Sequence, residues 1–131
     1  MKDPLVLCVD DDAGIRDLYE AVLSQNGYDV IAVSNASHAL TVYEFGARVD
    51  AVVLDLEMPG MNGLELAERL KSLNPSLPIL MVSGSNPEFQ EMCPYVDAAL
   101  RKGVPIRNIL DRIGNLIAER RDRSSKSQLP C

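Results

Sequence analysis

The chain has 131 residues, a length that fits one ordinary domain. Its 19 acidic residues outnumber 13 basic ones, which argues against the clustered positive charge of a general nucleic-acid-binding surface. No stretch approaches the roughly 20 apolar residues that span a bilayer, and the N-terminal MKDPLVLCVDDD lacks the features of a signal peptide, so a cytoplasmic location is expected. The three cysteines, Cys8, Cys93 and Cys131, are too widely spaced to indicate a disulfide framework or a zinc site.

Short apolar runs alternate with amphipathic stretches along the chain, which is typical of βα units around a mainly parallel sheet. Five of these runs are predicted to be strands, and in chain order they are Leu5–Val9, Asp29–Val33, Ala51–Asp55, 78–82 and 98–100. The expected fold class is therefore α/β.

Five helices are predicted from apolar residues at helical spacing and from cap residues. In chain order they are a first helix that stops near Gly27, a second capped by Ser37, a third that ends before Pro75, a short fourth over 87–92 and a last one that begins near Pro105. From Glu119 the segment ERRDRSSKSQLPC loses apolar periodicity, so we expect one domain over residues 1–118 and, over 119–131, a helix end followed by a disordered tail or a truncated linker.

Charged and polar side chains follow the predicted strands where each strand ends. They are Asp10 and Asp11 after the first strand, Asp55 at the end of the third, Ser83 after the fourth and Lys102 after the fifth. Ligands of open parallel sheets bind beyond this edge. Two carboxylates about 4 Å apart repel by about 4 kcal/mol at an effective dielectric constant of about 20. A divalent cation, the Lys102 ammonium or a bound proton could offset this repulsion, and Mg²⁺ fits the oxygen donors best.

Simpler interpretations apply to each of these residues taken alone. Asp12 could cap the first helix, with its acidic neighbours placed at the positive end of that helix. Ser83 could cap a short helix, and Arg101 is a rival to Lys102 as the cation of the site. The individual residues therefore leave the function open.

The segments VDDDAGIR, VDAVVLDLEMPGMNGLEL, LMVSGS and LRKG together resemble the receiver domains of two-component response regulators. The resemblance extends from about Leu5 to Ala118, so residues 1–118 would form the receiver domain. It implies a single doubly wound parallel sheet of five strands in the order 2-1-3-4-5 with five helices, a flavodoxin-like three-layer sandwich.

The resemblance also implies a role for each residue of the site. Asp55 would be the phosphoacceptor, Ser83 would hydrogen-bond a phosphoryl oxygen and Lys102 would pair with the phosphoryl group. Mg²⁺ would be held by Asp11, Asp55 and the backbone carbonyl of Glu57, with Asp10 contributing through water. Glu57, two residues after the phosphoacceptor, could also obstruct or order the water that removes the phosphoryl group.

The function implied by the resemblance is a phosphorylation-dependent signalling switch. A sensor histidine kinase or a histidine phosphotransfer protein would donate the phosphoryl group, and the altered surface would contact a downstream protein target. Such a domain is not an enzyme beyond its own phosphorylation and dephosphorylation. Neither nucleic acid nor a membrane is expected as a direct partner, whereas a homodimer could form through the face of the predicted fourth and last helices.

Two departures from the family pattern favour an alternative function. Ala99 stands where receivers usually carry an aromatic residue, and Gly103 follows Lys102 where proline is common. These changes suit a receiver-like module that binds proteins without phosphate. A third possibility, a hydrolase of the haloacid-dehalogenase type, is disfavoured because Glu57 replaces the second aspartate that such enzymes carry two residues after the nucleophile.

Overall fold

A five-stranded parallel sheet with helices on both faces forms the centre of the computed structural model, which describes residues 3–46, 48–58, 60, 62–84 and 94–126. The strands are β1 (Leu5–Val9), β2 (Asp29–Val33), β3 (Ala51–Asp55), β4 (Ile79–Ser83) and β5 (Ala98–Arg101). The helices within the described residues are α1 (Ala13–Gln25), α2 (Ala36–Glu44), α3 (Gly63–Leu73) and α4 (Ile106–Lys126). None of these helices combines the length and the apolar content that a bilayer crossing requires.

The sheet order is β2-β1-β3-β4-β5, and every neighbouring pair is parallel. This confirms the predicted fold class and strand order. Because β1 and β3 are neighbours while the chain continues from them to opposite sides, the sheet has its topological switch point between these two strands. The residues that follow β1 and end β3 therefore meet at one edge.

Two apolar cores lie on the two faces of the sheet. Alternate residues of β1 face opposite ways, so Leu7 and Val9 pack with α2 and α3, whereas Val6 and Cys8 pack with α1 and α4. All four side chains are fully buried. A strand buried on both faces is apolar at every position rather than at every second one, which explains the solid apolar runs of the sequence.

The element boundaries differ from the predictions at several points. β4 begins and ends one residue later than predicted, and β5 extends to Arg101. The prediction that Ser37 caps the second helix is wrong, because Asn35 is the cap and its Oδ1 accepts a hydrogen bond of 2.8 Å from the His38 N–H. Ser37 lies inside α2, where its carbonyl accepts from the Thr41 hydroxyl. The predicted fourth helix over 87–92 lies outside the described residues, as do residues 127–131.

Two aspartates hydrogen-bond the first residue of a neighbouring strand at the amino-terminal edge of the sheet, a contact that we call the aspartate clamp. The Asp97 N–H donates to the Ile79 carbonyl at 2.9 Å, while its Oδ2 accepts from the Ile79 N–H at 2.8 Å and from the Lys71 Nζ at 2.7 Å. Asp50 makes the same double contact with Leu5, at 2.8 Å in both directions. Each carboxylate thus satisfies the first N–H of a neighbouring strand, which would otherwise be buried without a partner.

We predict that Asp97→Ala lowers the free energy of unfolding by about 2 kcal/mol, because it leaves the Ile79 N–H unsatisfied and Lys71 without its carboxylate. Urea denaturation measures this loss. Asp111→Ala, a change at an exposed site on α4, is the control and should shift stability by at most about 0.5 kcal/mol. Equal effects of the two substitutions would show that the clamp contributes nothing.

Candidate functional site

Three carboxylates meet beyond the carboxyl ends of β1 and β3. Oxygens of Asp10, Asp11 and Asp55 all lie within 4.8 Å of one another. Asp10 and Asp55 are buried, with 4% and 1% of their surface exposed, whereas Asp11 is exposed. The switch point of the sheet therefore brings together the three aspartates that the sequence placed at the strand ends.

The third aspartate of the DDD run has a different task. Asp12 caps α1, and its Oδ1 accepts from the N–H groups of Gly14 and Ile15 at 2.8 and 3.2 Å. The Asp12 N–H in turn donates to Asp10 Oδ1 at 2.9 Å, which fixes the Asp10 side chain. The interpretation of Asp12 as a helix cap is confirmed, while Asp10 and Asp11 face Asp55.

Lys102 provides the positive charge nearest to Asp55 in the described part of the chain. Its Nζ lies 3.0 Å from Asp55 Oδ1 and 3.1 Å from Oδ2. A turn closed by a 3.4 Å hydrogen bond from the Val104 N–H to the Arg101 carbonyl carries Lys102, and Gly103 adopts a φ of 93° at its third position. Positive φ at this position is typical of a type II turn, which favours glycine. Lys102, rather than its rival Arg101, thus pairs with the aspartate.

Glu57 occupies the space between Asp55, Ser83 and Lys102. Ser83 Oγ donates to Glu57 Oε1 at 3.0 Å, and the Gly84 N–H donates to Oε2 at 3.4 Å. The Lys102 Nζ lies 3.5 Å from the same Oε2. Sequence reasoning assigned Glu57 its backbone carbonyl and an effect on the water that removes the phosphoryl group, and it missed these side-chain contacts. The available signal was a glutamate two residues after Asp55, in the loop that follows the strand next to the one that ends in Ser83.

Burial dominates the electrostatics of the site. It raises the pKa of Asp55 above the usual aspartate value, although the hydrogen bonds from Lys102 and from the Glu57 N–H lower it. Burial also raises the pKa of Asp10, which the Asp12 N–H lowers and the charge of Asp11 raises further. Burial lowers the pKa of Lys102, but its hydrogen bond to Asp55 and the surrounding negative charges raise it more, so its net pKa lies above the usual lysine value.

Residues 6–113 match the family model of the response regulator receiver domain. The chain belongs to this family. Receiver domains are signalling domains of two-component systems.

Known proteins resemble the chain in sequence and in structure. The transcriptional regulatory protein AruR of Pseudomonas aeruginosa is 34% identical over 122 residues, which cover 87% of this chain and 49% of AruR. The response regulator TrrA of Thermotoga maritima, solved in complex with Mg²⁺-BeF, superposes with a TM-score of 0.78 at 27% identity, covering 88% of this chain and 99% of TrrA. A CheY-like receiver domain protein of Methanospirillum hungatei gives a TM-score of 0.86 at 27% identity and covers 93% of this chain and 99% of that one. The chain spans about half the length of AruR.

The donor set of this receiver fits a hard divalent cation. Asp10, Asp11 and Asp55 offer oxygen ligands only, and burial of two of the carboxylates makes their mutual repulsion costly without a counter-charge. One carboxylate, Asp11, is exposed, which leaves a route for an ion that retains water ligands. These three residues are the ones that could hold Mg²⁺.

The start of α3 closes tightly over the backbone of Asp55. A Cβ atom added to Gly63 would lie 2.5 Å from the Asp55 carbonyl oxygen, 2.7 Å from Leu54 Cδ1 and 2.8 Å from Leu56 Cα. The Gly63 N–H also donates to the Leu56 carbonyl at 3.0 Å. Only glycine leaves room for this approach, so Gly63 lets the first turn of α3 lie against the backbone around Asp55.

We predict that Gly63→Ala lowers the free energy of unfolding by about 3 kcal/mol, because the added methyl group overlaps backbone atoms that cannot move independently. Thermal or urea unfolding measures this loss. Gly84→Ala is the matched control, since its added Cβ would meet its nearest atom, Glu57 Oε1, at 3.9 Å. A Gly63→Ala protein as stable as the control would contradict the close approach.

We also predict that Asp10→Asn stabilises the metal-free receiver by about 1 kcal/mol at neutral pH, because it removes one of the crowded charges. A carboxyl whose pKa is raised by folding opposes folding when it is ionised, and this effect is full above the folded-state pKa and vanishes below the unfolded-state pKa. Unfolding in excess chelator measures the gain, with exposed Asp17→Asn as the control. Added Mg²⁺ should stabilise the native chain more than the variant. Destabilisation by Asp10→Asn in chelator would contradict the prediction.

Proposed function

We propose that this receiver is a phosphorylation-controlled switch in which Asp55 accepts a phosphoryl group from a sensor histidine kinase or a histidine phosphotransfer protein. The observation that carries the proposal is the position of Asp55. It is a buried carboxylate that ends the central strand β3, next to two further carboxylates and 3.0 Å from the Lys102 ammonium. A nucleophile, a set of cation ligands and a fixed positive charge are the parts that phosphoryl transfer requires.

The transfer uses the side chains of the site in distinct ways. An Asp55 carboxylate oxygen attacks the phosphorus of a phosphohistidine, and the P–N bond breaks as the new O–P bond forms, with the electron pair remaining on the departing imidazole. The Lys102 ammonium neutralises charge on the phosphoryl oxygens. Ser83, at the end of the neighbouring strand β4, donates its hydroxyl hydrogen bond to one of these oxygens.

Mg²⁺ is the proposed cofactor, and Asp10, Asp11, Asp55 and the backbone carbonyl of Glu57 would hold it. When bound, the ion supplies positive charge that offsets both the crowded carboxylates and the incoming phosphoryl oxygens. The solved complex of TrrA with Mg²⁺-BeF supports this assignment. The chain acts on no other substrate in this proposal, since it only gains and loses its own phosphoryl group.

The output of the switch is a change in protein contacts. Phosphorylation of Asp55 would draw Ser83 and Lys102 toward the phosphoryl group and bias an existing equilibrium between two arrangements of the β4 and β5 ends. We propose that a downstream protein, or a second copy bound through the face of α4 and the predicted helix over 87–92, recognises the altered surface. Action in the cytoplasm, without direct contact with nucleic acid or a membrane, remains part of the proposal.

We expect the native chain to gain one phosphoryl mass when it is incubated with Mg²⁺ and acetyl phosphate, and Asp55→Asn to gain none. Intact-mass spectrometry measures the gain, and omission of Mg²⁺ should abolish it. Asp17→Asn, on the exposed side of α1, makes the same chemical change away from the site and should behave as the native chain does.

If acetyl phosphate does not phosphorylate the native chain, calorimetric titration with beryllofluoride in the presence of Mg²⁺ tests whether the site binds a phosphoryl analogue. Asp55-dependent binding of beryllofluoride would support the proposal. Absence of both phosphorylation and beryllofluoride binding would contradict it and would favour the phosphate-independent binding module.

A further inference from the structure

The Glu57 carboxylate is held by the groups that a phosphoryl group on Asp55 would need. Its Oε1 accepts from Ser83 Oγ at 3.0 Å, and its Oε2 accepts from the Gly84 N–H at 3.4 Å. The Lys102 Nζ lies 3.5 Å from Oε2 while it also contacts both oxygens of Asp55. A hydroxyl, a backbone N–H and an ammonium therefore converge on one anion immediately beside the phosphoacceptor.

The same contacts cover Asp55. The Asp55 side chain has no exposed surface, whereas those of Lys102 and Glu57 are 43% and 46% exposed. The ion pair between Lys102 and Glu57 thus lies on the solvent side of the site, and Asp55 lies beneath it.

We propose that Glu57 is an internal competitor of the phosphoryl group, a carboxylate that occupies the phosphoryl position of its own receiver and leaves it on phosphorylation. This rests on the proposed function of Asp55. Carboxylates and phosphoryl groups are both anions with several acceptor oxygens, so they satisfy the same donors and cannot hold them together. Glu57 is a positioning residue in this scheme, because it acts through Ser83, Gly84 and Lys102.

The competition has a measurable consequence for affinity. If Glu57 holds the donors in about nine-tenths of the molecules, the apparent affinity for a phosphoryl analogue falls about tenfold, because only the remaining fraction is ready to bind. The partial exposure of Glu57 allows it to swing out without disturbing the core. Removal of its carboxylate from this position should recover the lost affinity.

The experiment is calorimetric titration of beryllofluoride in saturating Mg²⁺ on the native chain, Glu57→Ala, Glu57→Asp and Glu68→Ala. Glu57→Ala removes both the charge and the reach of the side chain. Glu57→Asp keeps the charge but is one methylene shorter, so its carboxylate cannot hold the donors as Glu57 does. Glu68→Ala is the matched control, since Glu68 is an exposed glutamate on α3.

We expect about tenfold tighter beryllofluoride binding by both Glu57 variants and native affinity for Glu68→Ala. In the absence of beryllofluoride and Mg²⁺, the amide resonance of Gly84 should shift in both Glu57 variants, because its N–H loses the Glu57 acceptor. Thermal unfolding of each variant checks that the fold is retained. These readouts together separate occupancy of the site from a general loss of stability.

Two results would overturn the proposal while the phosphorylation switch stands. Tighter binding by Glu57→Ala with native affinity in Glu57→Asp would show that charge repulsion alone, and not occupancy, limits binding. Unchanged or weaker binding in both variants would show that Glu57 does not compete. Absence of beryllofluoride binding in every protein, the control included, would overturn the proposed function and this inference with it.

Discussion

Three carboxylates lie within 4.8 Å of one another because the parallel register of the sheet places the ends of β1 and β3 side by side. Two of them are buried, so water screens their repulsion poorly. Lys102 offsets part of this charge through its contacts with both oxygens of Asp55. The remaining excess of negative charge suits the site to a cation, and the proposed function depends on this imbalance.

Single residues at the ends of helices and turns fix the geometry around the three carboxylates. Asp12 caps α1 and fixes Asp10 through its own N–H, so the helix that begins there also orients a ligand. Gly63 lets α3 approach the backbone of Asp55, and Gly103 turns the chain so that Lys102 reaches the same carboxylate. Each of these residues lies at the end of an element, where a short side chain or positive φ decides the direction of the chain.

The sequence was sufficient to predict the strands and the aspartate cluster, because these follow from solid apolar runs and from the residues at their ends. The strand order was implied by the resemblance to receiver domains. It could not separate Asn35 from Ser37 as the cap of α2, since both are short polar residues and the backbone dihedral angles decide between them. The contacts of the Glu57 side chain with Ser83, Gly84 and Lys102 were missed for a different reason. The hydrogen bond from Ser83 to Glu57 depends on the path of the loop that follows β3, and residue spacing in the sequence does not predict that path.

The shared position of Lys102 links the cation to the phosphoryl group. The Lys102 ammonium contacts both Asp55 and Glu57. Negative charge added at Asp55 would therefore weaken the attraction between Lys102 and Glu57. A phosphoryl group brings a charge of about −1.5 to −2 to Asp55, which a divalent cation at the aspartates can balance. The donors of Ser83 and Gly84 would then pass from Glu57 to the new anion, because neither donor can fully satisfy both anions. In the proposed switch, the cation, the phosphoryl group and the departure of Glu57 are therefore parts of one exchange, in which the ends of β4 and β5 keep an anion as their partner throughout.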